Sequence, residues 1–396
     1  VNIELWDVAL LLLAAKVGGT IVSRFRQPSL IGELLAGTLL GAFFVGLGDS
    51  LTIQVVAELG IIFLILLTML SFDLREIEHE IERMVLMQVV SAAVIFLLLL
   101  GILSFAGIGY STILVAGAAV FGSSTVISAR TLLAMDELSS REGQAILGIQ
   151  VVNAIIELLL ISAVTNVIRY NQIDIESMLS LTLMIIGTFV VMSGLGSRFI
   201  NWLLNTVRVL RMEPVLLALT LLLAFSMAAV TERIGITSYV GVMLIGILLS
   251  RTEQSERIAR TIDQLGEGFF IPIFFASLGL SVSLPEVFAN LSLFLFLLAA
   301  IIAVRFIAYL FPLGLSGYDT GEALKISAGL LPMSEYGLLM LGIGLTYLVL
   351  DPAMYSVLVV VFLVANLFAP VFIGIAFGEF TMPRLPRIRI REKRNL

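Results

Sequence analysis

The chain has 396 residues, 59% hydrophobic and 13% charged, with a formal net charge of −6 and no cysteine. Soluble domains run about 25% charged, so the composition excludes one and predicts a polytopic membrane protein. Without cysteine there is no disulfide framework, thiol chemistry or cysteine-based metal site.

Apolar runs long enough to span a bilayer, about 17–25 residues each, number about thirteen. They cover 5–23, 29–47, 51–72, 84–106, 110–134, 144–168, 177–204, 214–231, 235–250, 266–283, 288–313, 322–348 and 352–377. The first contains Lys16 and lacks the basic leader and small-residue cleavage site of a signal peptide, so it is expected to be a mature helix. Residues 1–168 and 214–378 are expected to be two repeats, with 169–213 a linker helix and 379–396 a basic cytoplasmic tail. Arginines at 24, 26, 75, 83, 141, 198, 208, 211, 251, 257 and 260 fall on one side together with the tail. Little beyond Arg169 and Arg233 falls on the other, so the positive-inside rule places the N-terminus outside and the C-terminus in the cytoplasm.

The two repeats rest on spacing. Ser29-Leu-Ile-Gly32 through Gly37 resembles Ser238-Tyr-Val-Gly241 through Gly246, and Glu58-Leu59-Gly60 parallels Gln264-Leu265-Gly266. Each span therefore matches the one seven places on, and an odd offset makes the copies cross the membrane in opposite senses. Under the same offset, Gly122-Ser123-Ser124-Thr125 and Gly329-Leu-Leu-Pro332-Met-Ser334-Glu335 interrupt equivalent spans, the fifth and twelfth. A backbone broken at membrane depth is tolerated only where protein covers it or a cavity opens onto it.

Ionisable groups at that depth are rare and mark an ion pathway by default. Asn153 and Glu157 are four apart and share a helix face. Arg305 lies deep in the eleventh span; because a guanidinium keeps its proton, it is expected to pair with a carboxylate, Glu157 or Glu335. Such a pair could equally be structural. Glu335, after the Pro332 break, is expected to offset the positive end of a half-helix. Carbonyls and hydroxyls at Ser123, Ser124 and Thr125 offer the hard oxygen ligands that an alkali ion prefers, which places sodium at Ser124, Thr125 and Asn153. Glu33 either lines a cytoplasmic funnel or caps a helix, and His79 is either a pH sensor or part of a solvated acidic face. No phosphate-binding glycine loop, metal triad or nucleophile arrangement appears, so enzymatic function has no support and no cofactor is expected. A nucleic-acid partner has no support either.

Together, Gln27-Pro28-Ser-Leu-Ile-Gly32-Glu33, Ala57-Glu58-Leu59-Gly60, Phe269-Phe-Ile-Pro272 through Gly279 and Pro332-Met-Ser-Glu335 carry a resemblance. The chain resembles the monovalent cation–proton antiporter superfamily, in the branch of bacterial and archaeal sodium–proton and Kef-type exchangers. The resemblance implies an all-α fold with inverted repeats and two crossed discontinuous helices. It further implies a mobile core sliding like an elevator against a dimerisation domain, and a homodimer in a prokaryotic plasma membrane. Sodium, lithium or potassium would be exchanged for protons in the service of pH homeostasis.

In that family the ion-binding helix carries Asp-Asp or Asn-Asp. Here the sequence is Val152-Asn153-Ala154-Ile155-Ile156-Glu157, with Ala154 where the essential carboxylate belongs. Either the chain is an inactive variant or the carboxylate has moved to Glu157. Asn153 at the first position goes with electroneutral one-for-one exchange. The competing readings are a Kef-type potassium–proton efflux system, a sodium-coupled organic-anion symporter and a non-transporting sensor or scaffold of the same fold.

Overall fold

The computed structural model describes residues 5–25, 27–44, 46–70, 80–170 and 213–378, with isolated positions between 187 and 200. Leu, Ile, Val and Ala at helix spacing produce helices throughout: α1 (Leu5–Arg24), α2 (Ser29–Phe43), α3 (Leu51–Leu70), α4 (Ile81–Phe105), α5 (Tyr110–Phe121), α6 (Thr125–Ala134) and α7 (Arg141–Tyr170). The second half supplies α8 (Glu213–Arg233), α9 (Ser238–Ser250), α10 (Ser255–Leu265), α11 (Ile271–Leu280), α12 (Leu284–Ala289), α13 (Leu291–Leu315), α14 (Thr320–Gly329), α15 (Glu335–Thr346) and α16 (Pro352–Phe377). Seven of them, α1, α3, α4, α7, α8, α13 and α16, are long and apolar enough to cross a membrane.

Both expected breaks are present. The fifth span divides into α5 and α6, and the twelfth into α14 and α15. Gly122 ends α5 in extended conformation, and a Cβ there would run into the Glu157 carboxyl group. Pro332 has no N–H to give a helix and disfavours helical geometry at Leu331. The two extended segments meet antiparallel, Ser123 opposite Met333.

The tenth span differs from expectation. Instead of one helix over 266–283, the chain enters earlier through α10, whose inward face is Ile258 and Ile262, and passes through a π-turn at Gly266–Phe270 into α11. The polar sequence Ser255-Glu-Arg-Ile hides this helix from a search for apolar runs. Pro272 accounts for the π-turn: its ring clashes with the carbonyl four residues back and its nitrogen cannot donate, so the helix widens by one residue. Lys16 Nζ donates to the Glu267 carbonyl within that turn. Most of the seventh span, the basic tail and His79 lie outside the described residues.

Close glycine contacts follow the offset of seven spans. Gly32 of α2 packs on Gly18 of the preceding helix, as Gly241 of α9 packs on Met227 and Thr231 of its own. Gly37 meets Ala276 of α11, while Gly246 meets Met69 of α3. Gly60 faces Phe270, and Gly266 faces Phe63. Each α2-like helix thus packs on its neighbour in the chain and on a helix of the opposite half.

Candidate ion site at the helix crossing

A break inside a membrane protein exposes backbone groups, each costing several kcal/mol if left unpaired in an apolar surround. Here the breaks pair with each other. Ser124 N donates to Pro332 O (2.9 Å), and Ser334 N donates to Gly122 O (3.2 Å). The remaining amides go to two buried asparagines: Ser123 N to Asn153 Oδ1 (2.7 Å) and Met333 N to Asn366 Oδ1 (2.6 Å).

Arg305 takes the carbonyls. Nε donates to Leu331 O at 3.0 Å, Nη2 to Leu330 O at 2.7 Å and Pro332 O at 3.0 Å, and Nη1 to Gly122 O at 2.8 Å and to Val120 O. All five guanidinium donors are satisfied by main chain. The expected ion pair with Glu157 or Glu335 does not form; no carboxylate of the described residues lies within 4.0 Å of Arg305. The physical reason is that these carbonyls are the C-terminal ends of α5 and α14. Each helix end carries about −0.5 charge, so two together balance one guanidinium. Its other face lies over the Tyr309 ring, 5.4 Å from the centroid.

The positive ends, at the starts of α6 and α15, face Glu335. Its Oε1 accepts from Ser124 Oγ (3.1 Å), the residue that caps α6, while Glu335 itself begins α15. Glu335, expected to offset the positive end of a half-helix, thus stands where the two helix N-termini meet.

Asn153 is fully buried behind the crossing. Besides holding Ser123 N, it donates Nδ2 to Gln88 Oε1 (2.9 Å) and to Tyr309 Oη (3.3 Å). Gln150 donates to Ser123 Oγ (2.9 Å) and Ser128 Oγ (2.9 Å), and Ser128 Oγ to Gly329 O (2.7 Å). The Ser124 carbonyl accepts from Ser128 N (3.3 Å) and Gln150 Nε2 (3.2 Å). In this state the oxygens of Asn153 and Ser124 are thus committed to the protein, and neither residue lines the cavity below. Of the three positions expected to hold sodium, Thr125 alone is on its wall.

That cavity, about 530 Å³, runs from the start of α2 and the end of α10 to the crossing. Ser123, Thr125, Ala154, Glu157, Ser334 and Glu335 form its inner end, and Glu33, Asp263 and Glu267 its outer part. Five carboxylates against one base, Arg130, line it. A cleft of one sign concentrates the opposite ion, here a cation. Glu33 is on the wall, and the N-cap of α2 is Pro28. At the inner end, Glu157 Oε1 accepts from Ser334 Oγ, and Oε2 has no hydrogen-bond partner. Ala154 sits one turn away on the same wall.

Asn366, Gln88, Gln150 and Tyr309 were not singled out by sequence reasoning. For Asn366 the signal was available. It stands in the thirteenth span, seven places after the sixth, which carries Asn153.

The model of the family described as "Sodium/hydrogen exchanger, transmembrane" matches residues 10–377. The high-affinity Na(+)/H(+) antiporter NhaS3 of Synechocystis is 27% identical over 94% of this chain and 89% of its own. The Na(+)/H(+) antiporter of Enterococcus hirae is 26% identical over 92% and 95%, and the Na(+)/H(+)-K(+) antiporter GerN of Bacillus cereus 24% over 94% and 96%. The structure of the sodium proton antiporter MjNhaP1 of Methanocaldococcus jannaschii superposes with a TM-score of 0.73, at 14% identity, over 94% of this chain and 95% of that one. The chain belongs to the sodium/hydrogen exchanger family and is a multi-pass membrane cation/proton antiporter, not an enzyme.

Proposed function

We propose that the chain exchanges sodium or lithium for protons, one for one, with Glu157 as the carboxylate that holds each in turn. One observation carries this reading: Glu157 is fully buried yet keeps an unpartnered oxygen, on the wall of an acidic cavity at the meeting of the broken helices. A carboxylate so placed binds an alkali ion or a proton but not both, and that competition couples the two fluxes. Glu157 then replaces, one turn along α7, the acid that the family pattern puts at Ala154. With a single carrier and no second acid at Asn153, one sodium against one proton moves no net charge.

Packing supports a two-body mechanism. The helices α4–α7 and α13–α16 are tied through the crossing, while α1–α3 and α8–α11 are joined by close glycine contacts. The cavity lies between the two groups. In an elevator cycle the first group carries the ion past the second, and a homodimer in a prokaryotic plasma membrane, C-terminus inside, would anchor the second.

The test is a sodium pulse applied to proteoliposomes that hold a pH gradient. The chain as it stands dissipates the gradient and Glu157→Gln does not; full activity in Glu157→Gln removes Glu157 from the mechanism. If the unmodified chain is silent and Ala154→Asp restores exchange, the carrier position is 154 and the chain is an inactive form. Potassium is the second cation to try, because one relative is named a Na(+)/H(+)-K(+) antiporter.

A further inference from the structure

Beyond Glu157, helix α7 runs on towards Tyr170, away from the cavity mouth. Three side chains in this stretch are buried and unpartnered: Ser162 (0% exposed), Thr165 (6%) and Asn166 (4%). Ser162 Oγ, Thr165 Oγ1 and Asn166 Nδ2 have no hydrogen-bond partner among the described residues. This is unusual within the same molecule. Ser91, Thr131, Thr220 and Ser327 all fold their hydroxyls back onto the carbonyl four residues earlier. Ser162 and Thr165 do not take that easy bond.

Their spacing gives them an address. Ala154, Leu158, Ser162 and Asn166 are successive fourth residues and so form one ridge of the helix, with Thr165 beside it. The ridge begins at the cavity wall, where Ala154 lies, and leaves on the far side of the crossing. Between Ala154 at the wall and the first polar rung, Ser162, stands Leu158, which is fully buried. An unpaired polar group kept from water loses its hydration with nothing in return, so each one is costly. Two on the ridge and one beside it are explained by a second state in which water reaches them.

We propose that the ridge from Ala154 to Asn166 is the closed half of the ion and proton route. It is dry here, sealed at Leu158, and hydrated from the face opposite the cavity mouth when the chain changes state. The inference rests on the exchange reading for its purpose, but it concerns water access and can be measured without ion flux.

Because the chain has no cysteine, an introduced thiol is unique. Ser162→Cys and Thr165→Cys change little in size and would be exposed, in oriented vesicles, to a charged, membrane-impermeant methanethiosulfonate from each side separately. Ser29→Cys reports the cavity mouth, and Ala163→Cys, on the neighbouring half-buried face, is the control at equal depth. The expected result is labelling of Ser162→Cys and Thr165→Cys only from the side opposite to Ser29→Cys. Its rate would be roughly 0.1–10% of that at the mouth, the share of time spent in a minor state. Replacing the seal, in Leu158→Ser, should raise that rate. Absence of labelling from both sides, labelling from the mouth side, or equal labelling of Ala163→Cys would each overturn the proposal. Failure of Glu157→Gln to lose exchange would instead remove the carrier reading and leave the labelling result standing.

Discussion

The two broken helices face the same backbone problem and close it differently. At the α14/α15 break, beside the carbonyls that Arg305 takes, Asn366 holds Met333 by itself, accepting from its N (2.6 Å) and donating to its O (3.0 Å). At the α5/α6 break, Asn153 accepts from Ser123 N but spends its donors on Gln88 and Tyr309, with Gln150 and Ser128 completing the set. The first copy alone has a carboxylate one turn further on, Glu157. One break is closed by a single asparagine beside the guanidinium, while the other is closed by a polar hub bordering a cavity.

The largest effect should come from the group that both breaks share. Arg305→Met removes a donor from five buried carbonyls; Gly122 O and Pro332 O keep a backbone N–H, but Val120 O, Leu330 O and Leu331 O are stranded, each costing about 1–3 kcal/mol, against a total stability of about 5–15 kcal/mol for folded domains. No folded, monodisperse protein is expected on size-exclusion in detergent, and Arg305→Lys, with three donors, should recover only part of it. Next comes Glu157→Gln, which should reduce exchange to the vesicle background while thermal unfolding in detergent changes little. A large fall in melting temperature would make Glu157 structural instead.

The asparagines sharpen the contrast. Asn366→Ala leaves one N–H and one C=O of Met333 unpaired, a loss of about 2–6 kcal/mol, and should lower the melting temperature without altering the apparent sodium affinity of what remains folded. Asn153→Ala should lower both, because its partners reach the cavity wall through Ser123. Equal effects of the two on sodium affinity would show the copies to be functionally alike. Smallest is Glu322→Gln, which breaks the pair with Arg141 (2.5 Å), whose own side chain is 78% exposed. Surface pairs contribute about 0–1 kcal/mol, so stability should be nearly unchanged.

Much of the scaffold was legible in residues. Long Leu/Ile/Val runs give the spans, and the clusters Gly122-Ser-Ser-Thr125 and Gly329-Leu-Leu-Pro332-Met-Ser334 give the breaks, because clustering sets them apart from the single glycines that serve helix packing. Arg305 was found but mispaired, since one-letter sequence marks carboxylates and conceals carbonyls freed by a neighbouring break. The entry helix α10 was missed because its apolar face is only two isoleucines wide. Glu157 was visible as an acid in an apolar run, but its free oxygen depends on where Ser334 and Gly122 sit, which only the assembled crossing reveals.

The reciprocal stitching of Ser123 to Met333 has a consequence for selectivity. Four half-helices held by main-chain bonds and one guanidinium cannot deform piecemeal, so the crossing travels as a single block or stays put. An ion would then meet the same oxygens whichever face it arrives from. The ratio of sodium to lithium half-saturation should accordingly be equal for inside-out and right-side-out vesicles, even where the absolute rates differ.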